Sequence, residues 1–291
     1  MRSTASRVRT DVPEPSSGGG VSDMVGDAKD AAEQAANSKQ AGWAARAGLA
    51  ARGIVYLLLG VLAILVANGE RAAVDQKGAL SAVLAQPFGG FVVALLALGF
   101  LCYALWRLSE AVFGVEGTGG KAWPRVQSAG RAVAYLLLTY SAVSLLLGSR
   151  QSQSSQQRGI VASLVDNPVG VWVVILFGIG FAAVGLFQIY EGITLKFMRW
   201  FQAGALDERS RTIVRHLGRV GTISRGAVFA VTGTLIAIAG WKHDPSQAGG
   251  IDAAIKALRD QPYGTWLLLL AGLGLIAFGI FGLAEARYRR V

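Results

Sequence analysis

Six apolar stretches dominate the pattern of this chain, and they come in three pairs. The run from Leu49 to Ala67 is apolar except for Arg52, and the run from Phe88 to Leu105 carries no charge. A polar connector separates them. The same arrangement returns as 132–148 with 169–190, and again as 226–241 with 263–284. Crossing the hydrocarbon core of a bilayer takes roughly 20 residues, within a range of about 17–25. The second stretch of each pair meets that length. The first, shortest at 226–241, needs its flanking residues to reach the interfaces. The connectors have a pattern of their own: Ile251, Ala254, Ile255 and Leu258 fall at i, i+3, i+4 and i+7, one face of a short helix. Leu80, Val83 and Leu84 repeat it in miniature, so each connector is expected to lie at the outer membrane surface.

The pairs are copies. Arg52-Gly53-Ile54-Val55-Tyr56 enters the first stretch, Arg131-Ala132-Val133-Ala134-Tyr135 the third and Arg225-Gly226-Ala227-Val228-Phe229 the fifth. Gln86-Pro87-Phe88-Gly89 aligns with Asn167-Pro168-Val169-Gly170 and Gln261-Pro262-Tyr263-Gly264. At a constant distance from each proline stands Glu110, Glu191 or Glu285, ending the second helix. Self-similarity at a fixed period identifies a repeat architecture. The reading is all-α: a polytopic membrane protein of six transmembrane helices in three tandem two-helix repeats, forming a pseudo-three-fold bundle. The divisions are 1–42, a cytoplasmic tail; 43–118, repeat 1; 119–198, repeat 2; and 199–291, a basic loop with repeat 3. The turn residues Pro87, Gly89, Pro168, Gly170, Pro262 and Gly264 end the connectors. Proline suits the first turn of the returning helix, where its missing N–H costs nothing.

The arginine entry, the Gln-Pro-x-Gly turn and the helix ending Trp106-Arg107-x-x-Glu110 resemble the domain of unknown function 1206 family. The resemblance covers about residues 43–291. It implies a bacterial membrane protein with three tandem two-helix domains, and it implies no activity. The second copy departs most, with Ala132 for glycine and Asn167 for glutamine.

Composition agrees with the membrane reading: 53% of residues are hydrophobic and 16% charged, against about 25% charged in soluble proteins. The mean hydropathy is +0.45. Of the 28 Lys and Arg, Arg71, Lys77, Arg150, Arg158, Lys242, Lys256 and Arg259 lie in the connectors and the rest on the side of the termini. The positive-inside rule then puts both termini in the cytoplasm of a bacterial cell, with the protein multi-pass in the inner membrane. The loop from Lys196 to Arg225 is the most basic. Next to a membrane, such a loop meets anionic lipid headgroups, and no base-stacking basic module points to nucleic acid. Trp43, Trp106, Trp123 and Trp200 fall near the inner interface and Trp172, Trp241 and Trp266 near the outer one, as an aromatic belt does. The tail is rich in Ser, Gly, Ala and charge; 1–21 reads as disordered, 22–37 as a polar helix, and the whole as a contact surface for a protein partner.

Candidate chemistry is sparse. Cys102 stands alone, and His216 and His243 lie in different loops, so no catalytic, metal or cofactor constellation is expected and the protein is read as no enzyme. The repeated charges Arg52, Arg131, Arg225, Glu110, Glu191 and Glu285 form one inner-face layer. They can pair to fasten the helices, with Arg107 competing for Glu110, or form a ring around a pseudo-three-fold pathway. Glycines such as Gly60, Gly178, Gly180, Gly185, Gly272 and Gly279 suit close helix packing, or hinges. Thr139, Ser141, Ser144, Thr232 and Thr234 suggest that the first helix of each pair faces inward. Two functions follow: a non-catalytic scaffold or lipid-interacting membrane protein, or a small-solute or ion transporter or channel.

Overall fold

In a computed structural model, the structure describes residues 39–70, 72–114, 122–149, 152–201 and 207–288. The expected polar helix at 22–37 lies outside them. Among the described residues are nine α-helices: α1 (Lys39–Ala67), α2 (Gln76–Leu84), α3 (Gly89–Phe113), α4 (Ala122–Leu146), α5 (Gln153–Val165), α6 (Pro168–Thr194), α7 (Glu208–Trp241), α8 (Gly250–Arg259) and α9 (Gly264–Tyr288). Six of them, α1, α3, α4, α6, α7 and α9, are long and apolar enough to cross a membrane. The six-helix, three-repeat expectation therefore holds. The short helices α2, α5 and α8 are the three connectors, gathered at what we term the connector end; the opposite end, where α1 begins and α9 finishes, is the basic end.

The expected loop from Lys196 to Arg225 is mostly helix. From Glu208, α7 runs without a break into its apolar stretch. Val214, Gly218, Gly221 and Thr222 are buried on one side, while Arg211, Arg215 and Arg219 are exposed on the other. The exposed arginines along its other side obscure this amphipathic period in the sequence.

Contacts between repeats dominate the packing. The closest pairs are α6 with α7, α9 with α1, and α3 with α4. Each joins the second helix of one repeat to the first helix of the next, and α9 with α1 closes the ring from repeat 3 back to repeat 1. Glycines allow it. A Cβ on Gly178 or Gly185 would strike the backbone of α7 at Gly233 or Gly226, and the reverse also holds. At equivalent positions Gly53 and Gly60 of α1 meet Gly279 and Gly272 of α9. Without hydrophobic drive between helices in lipid, such close approach is a main source of association. The third pair has Ala97, Ala104, Ala132 and Thr139 at these positions, and it is the least extensive of the three.

Within repeats the helices are unequal. In repeat 1 Tyr103 fills the space over Gly48, and in repeat 3 Phe278 does so over Gly221. Gly99 sits against Ala51, and Gly274 against Ser224. The corresponding residues of repeat 2 are Gln127 with Val184 and Gly130 with Gly180. Val184 is 49% exposed, and a Cβ on Gly130 or Gly180 would meet nothing. With no aromatic to seat over a glycine, α4 and α6 do not pack against each other. A seam stands open in the ring between them. Of the six long helices α4 is the least buried, with 17% of its apolar window inside the bundle. The first helix of each pair is therefore not uniformly the inner one. Its hydroxyls do not require that, because Thr139, Thr232 and Thr234 donate to carbonyl oxygens one turn back, at Tyr135, Val228 and Ala230.

At the connector end α2, α5 and α8 meet. Ile251, Ala254 and Ile255 of α8 are buried, as the spacing predicted. Asp75 caps α2 by accepting from the Gly78 amide at 2.7 Å. Asp252 accepts from the Val74 amide at 3.1 Å and from Lys256 Nζ at 2.7 Å. The Ser154 hydroxyl reaches both carboxylates, at 3.3 and 3.4 Å. Burial pushes the Asp75 carboxyl above its ordinary range, and the Asp252 charge adds to this. Turn geometry differs from the expectation in two copies. In repeat 2 Asn167 caps α6 and Pro168 opens it. In repeats 1 and 3 the proline precedes the helix by two residues, and Phe88 and Tyr263 take φ of 63°. Glutamine in place of Asn167 lacks the short reach for that cap. Gly89, Gly170 and Gly264 are required in all three, since a Cβ there would collide with the carbonyl oxygens of Val83, Leu164 and Arg259. Trp172, Trp241 and Trp266 are exposed near the connector end and Trp43 at the basic end; the side chains of Trp123 and Trp200 lie outside those described.

Two outcomes follow. In a Cys102→Ala background, Ala51→Cys with Gly99→Cys is expected to cross-link on mild oxidation, and Gly130→Cys with Gly180→Cys is not; equal yields would rule out an open seam. The raised Asp75 carboxyl means that folding favours its protonated form. Stability should rise as pH falls from above that raised value towards the ordinary 3.8. Asp75→Asn keeps the cap and removes the cost, so it should melt at the wild-type temperature or higher at neutral pH, with the difference vanishing in acid. A lower melting temperature at neutral pH would contradict this.

Candidate functional site

The repeated arginines and glutamates meet at the basic end, but the three copies engage them differently. Arg52 of α1 forms an ion pair with Glu285 of α9, with side chains 14% and 6% exposed. The residue one turn before the glutamate explains why. In repeat 3 it is Gly282, which packs on Gly53 and leaves Arg52 a clear approach. In repeat 1 it is Arg107, a buried side chain that donates to Glu110 at 2.6 Å and to the Tyr103 hydroxyl at 2.8 and 2.9 Å. Ser128 also donates to Glu110, at 2.7 Å. In repeat 2 it is Gln188, whose amide oxygen accepts from Arg225. Glu191 is left to Arg199, 3.9 Å away and mostly exposed. Arg131 lies exposed on α4. The three copies build three different networks rather than one repeated contact, and the competition foreseen for Arg107 is what occupies Glu110.

Aromatic rings line the centre of this layer. Arg225 donates through Nε to the Tyr56 hydroxyl at 2.7 Å. Its Cζ lies 4.4 Å from the Phe229 ring centre, 5.0 Å from Phe278 and 5.2 Å from Tyr56. The Arg52 Cζ lies 5.5 Å from the same Phe278 ring. Tyr56 meets Phe278 edge-on at 4.8 Å, and Tyr135 meets Tyr103 at 4.3 Å. A guanidinium over a ring face gains roughly 0.5–1 kcal/mol when exposed and about 2 when desolvated. Tyr56, Tyr135 and Phe229 belong to the sequence motif. Gln188, Tyr103 and Phe278 were missed, although each stands at a constant distance from its repeat's proline. That register was the available signal.

Towards the middle of the bundle the layer gives way to apolar packing, with Leu59, Val93, Leu96, Phe100, Leu268 and Leu275 buried. Among the described residues no group of three His, Cys, Asp or Glu could hold a metal ion. A separate cavity of about 540 Å³ opens at the connector end, lined by Val165, Asp166, Pro168, Val171, Trp172, Ile175, Trp241 and His243. It is largely apolar, and it lies away from the arginine layer. The chemistry is concentrated in that layer, so the candidate site is placed there.

Comparison with known proteins agrees with the repeat structure. The family described as Domain of Unknown Function (DUF1206) matches residues 47–114, 126–194 and 220–289. A protein of Bacillus subtilis (strain 168) described as Uncharacterized protein YxxB is 28% identical over 249 residues, covering 84% of this chain and 90% of its own. No solved structure matches.

The unequal pairing predicts unequal costs. Glu285→Gln leaves Arg52 buried without its carboxylate, and removing one partner of a buried pair costs about 3–5 kcal/mol. Glu191→Gln, at a long contact to a mostly exposed arginine, should cost less, about 1 kcal/mol or below. Unfolding of the two variants in matched detergent checks this; similar losses would mean the three positions are equivalent after all.

Proposed function

The chain belongs to the DUF1206 family, carrying three copies of its domain, and on that premise we propose that it is a non-catalytic, lipid-interacting scaffold of the bacterial inner membrane. The single observation that carries this reading is the open seam between α4 and α6. In a bilayer an apolar gap between two spanning helices fills with lipid chains, because nothing else present there is as apolar. Phe177, Val184 and Phe187 of α6 and Leu137 of α4 are all strongly exposed in the bundle. The basic flanks of α7, with Arg211, Arg215 and Arg219 exposed, suit anionic headgroups. We place both termini in the cytoplasm on the same basis, the excess of Lys and Arg at that end. The tail 1–42 then offers a cytoplasmic surface to a protein partner.

A transport reading is favoured by one observation, the convergence of Arg52 and Arg225 on the Phe278 ring at the centre of the bundle. The apolar side chains packed beyond that layer favour the scaffold.

Spin-labelled phospholipids in reconstituted vesicles test the proposal. Gln127→Gly with Val184→Phe installs in repeat 2 the aromatic-over-glycine contact of repeats 1 and 3. It should close the seam and reduce the motionally restricted lipid per protein, while purified wild type should pass small ions no faster than empty vesicles. An unchanged restricted fraction would sink the lipid reading, and flux abolished by Glu285→Gln would establish transport instead.

A further inference from the structure

We propose that Arg225, Arg52 and Tyr135 form a binding site for a phosphate oxyanion at the foot of the seam between α4 and α6. The proposal rests on the lateral access described above and adds the chemistry that the seam would recognise.

Charge is the first reason. The elements around the centre supply three guanidiniums, Arg52 from α1, Arg107 from α3 and Arg225 from α7, and two carboxylates, Glu285 from α9 and Glu110 from α3. Glu285 pairs with Arg52 and Glu110 with Arg107. Arg225 is bound by the neutral Tyr56 and Gln188 and, among the described residues, by no carboxylate. A cation at the edge of the apolar belt without a counter-charge is costly, and an anion lowers that cost.

Unused donors are the second. The Nε of Arg52 is buried and makes no hydrogen bond. Tyr135 is 9% exposed, and its ring packs 4.3 Å from that of Tyr103. Arg52, Arg225 and Tyr56 converge on the Phe278 ring, with centre distances of 5.5, 5.0 and 4.8 Å. The Tyr56 hydroxyl accepts from Arg225 and so keeps its own proton to donate. Guanidinium forks with neighbouring hydroxyls are the donor set that suits phosphate geometry.

Access and depth are the third. Arg225 is partly exposed, and its neighbour Gln188 lies on α6, one wall of the seam, while Tyr135 lies on α4, the other. Arg225 immediately precedes the apolar stretch of α7, on the side of the basic end. The phosphate can therefore belong to a lipid headgroup or be free in solution, and the chemistry recognised is the same.

Native mass spectrometry of the full chain in detergent, with phosphatidylglycerol and with diacylglycerol of the same chains, tests the site alongside thermal shift in inorganic phosphate. Wild type should retain phosphatidylglycerol about tenfold more than diacylglycerol. Arg225→Gln should weaken this by about tenfold or more and Tyr135→Phe by about threefold, the range expected for losing a charged and a neutral donor. Tyr135→Phe removes one hydroxyl and keeps the packed ring, so it carries the test if Arg225→Gln does not fold. Stabilisation by inorganic phosphate that both variants lose, without retained lipid, supports the site with a free anion as its source and counts against the lipid reading of the seam. Lipid retained equally by phosphatidylglycerol and diacylglycerol, or equally by wild type and both variants, overturns the site while leaving lipid in the seam possible. Binding of neither probe overturns it outright.

Discussion

Close backbone approach at paired glycines is the constraint on which this bundle depends. Helices in lipid gain little from hiding apolar side chains, since the solvent is equally apolar, and their association comes from contact at short range. Gly53 and Gly60 against Gly279 and Gly272, and Gly226 and Gly233 against Gly185 and Gly178, supply that contact twice with the same register. Both contacts run between repeats, so the functional unit of packing is not the two-helix repeat read along the chain. It is the second helix of one repeat with the first of the next.

Departures from symmetry carry the chemistry. Where glycine and aromatic face each other within a repeat, the pair closes; where Gln127 and Val184 stand instead, it stays open. The residue one turn before each glutamate acts in the same way on charge. Gly282 admits Arg52 to Glu285, Arg107 takes Glu110 for itself, and Gln188 diverts Arg225 from Glu191. One side chain at one register position thus converts a repeated motif into three different local networks. The outcome is an arginine layer with a surplus positive charge next to the only long-helix pairing within a repeat that fails to form among the described residues.

Much of this was legible beforehand. The six spans, the three copies, the buried face of α8 and the role of the turn glycines follow from local pattern, because membrane thickness and helical period act on each segment separately. The connector prolines were read with less success, since whether proline opens the helix depends on a neighbouring cap that Asn167 provides and Gln86 and Gln261 do not. The helical start of α7 was hidden by its arginines, whose period becomes visible only once Val214, Gly218 and Gly221 are seen to share a buried face.

The arginine–glutamate layer marks the limit. Equivalent positions in three copies establish that Arg52, Arg131 and Arg225 enter the bundle at one level, and that Glu110, Glu191 and Glu285 return to it. They cannot establish which arginine reaches which glutamate, because a guanidinium chooses among partners brought from distant repeats within a few ångströms. Glu285 lies far from Arg52 along the chain, and the Gly282 that lets them meet looked like one more packing glycine. The repeat pattern alone carries the span count and the common level of the charges. The ring order, the open seam and the Arg52–Glu285 ion pair arise from which side chains meet across repeats, and that is a property of packing rather than of any one segment.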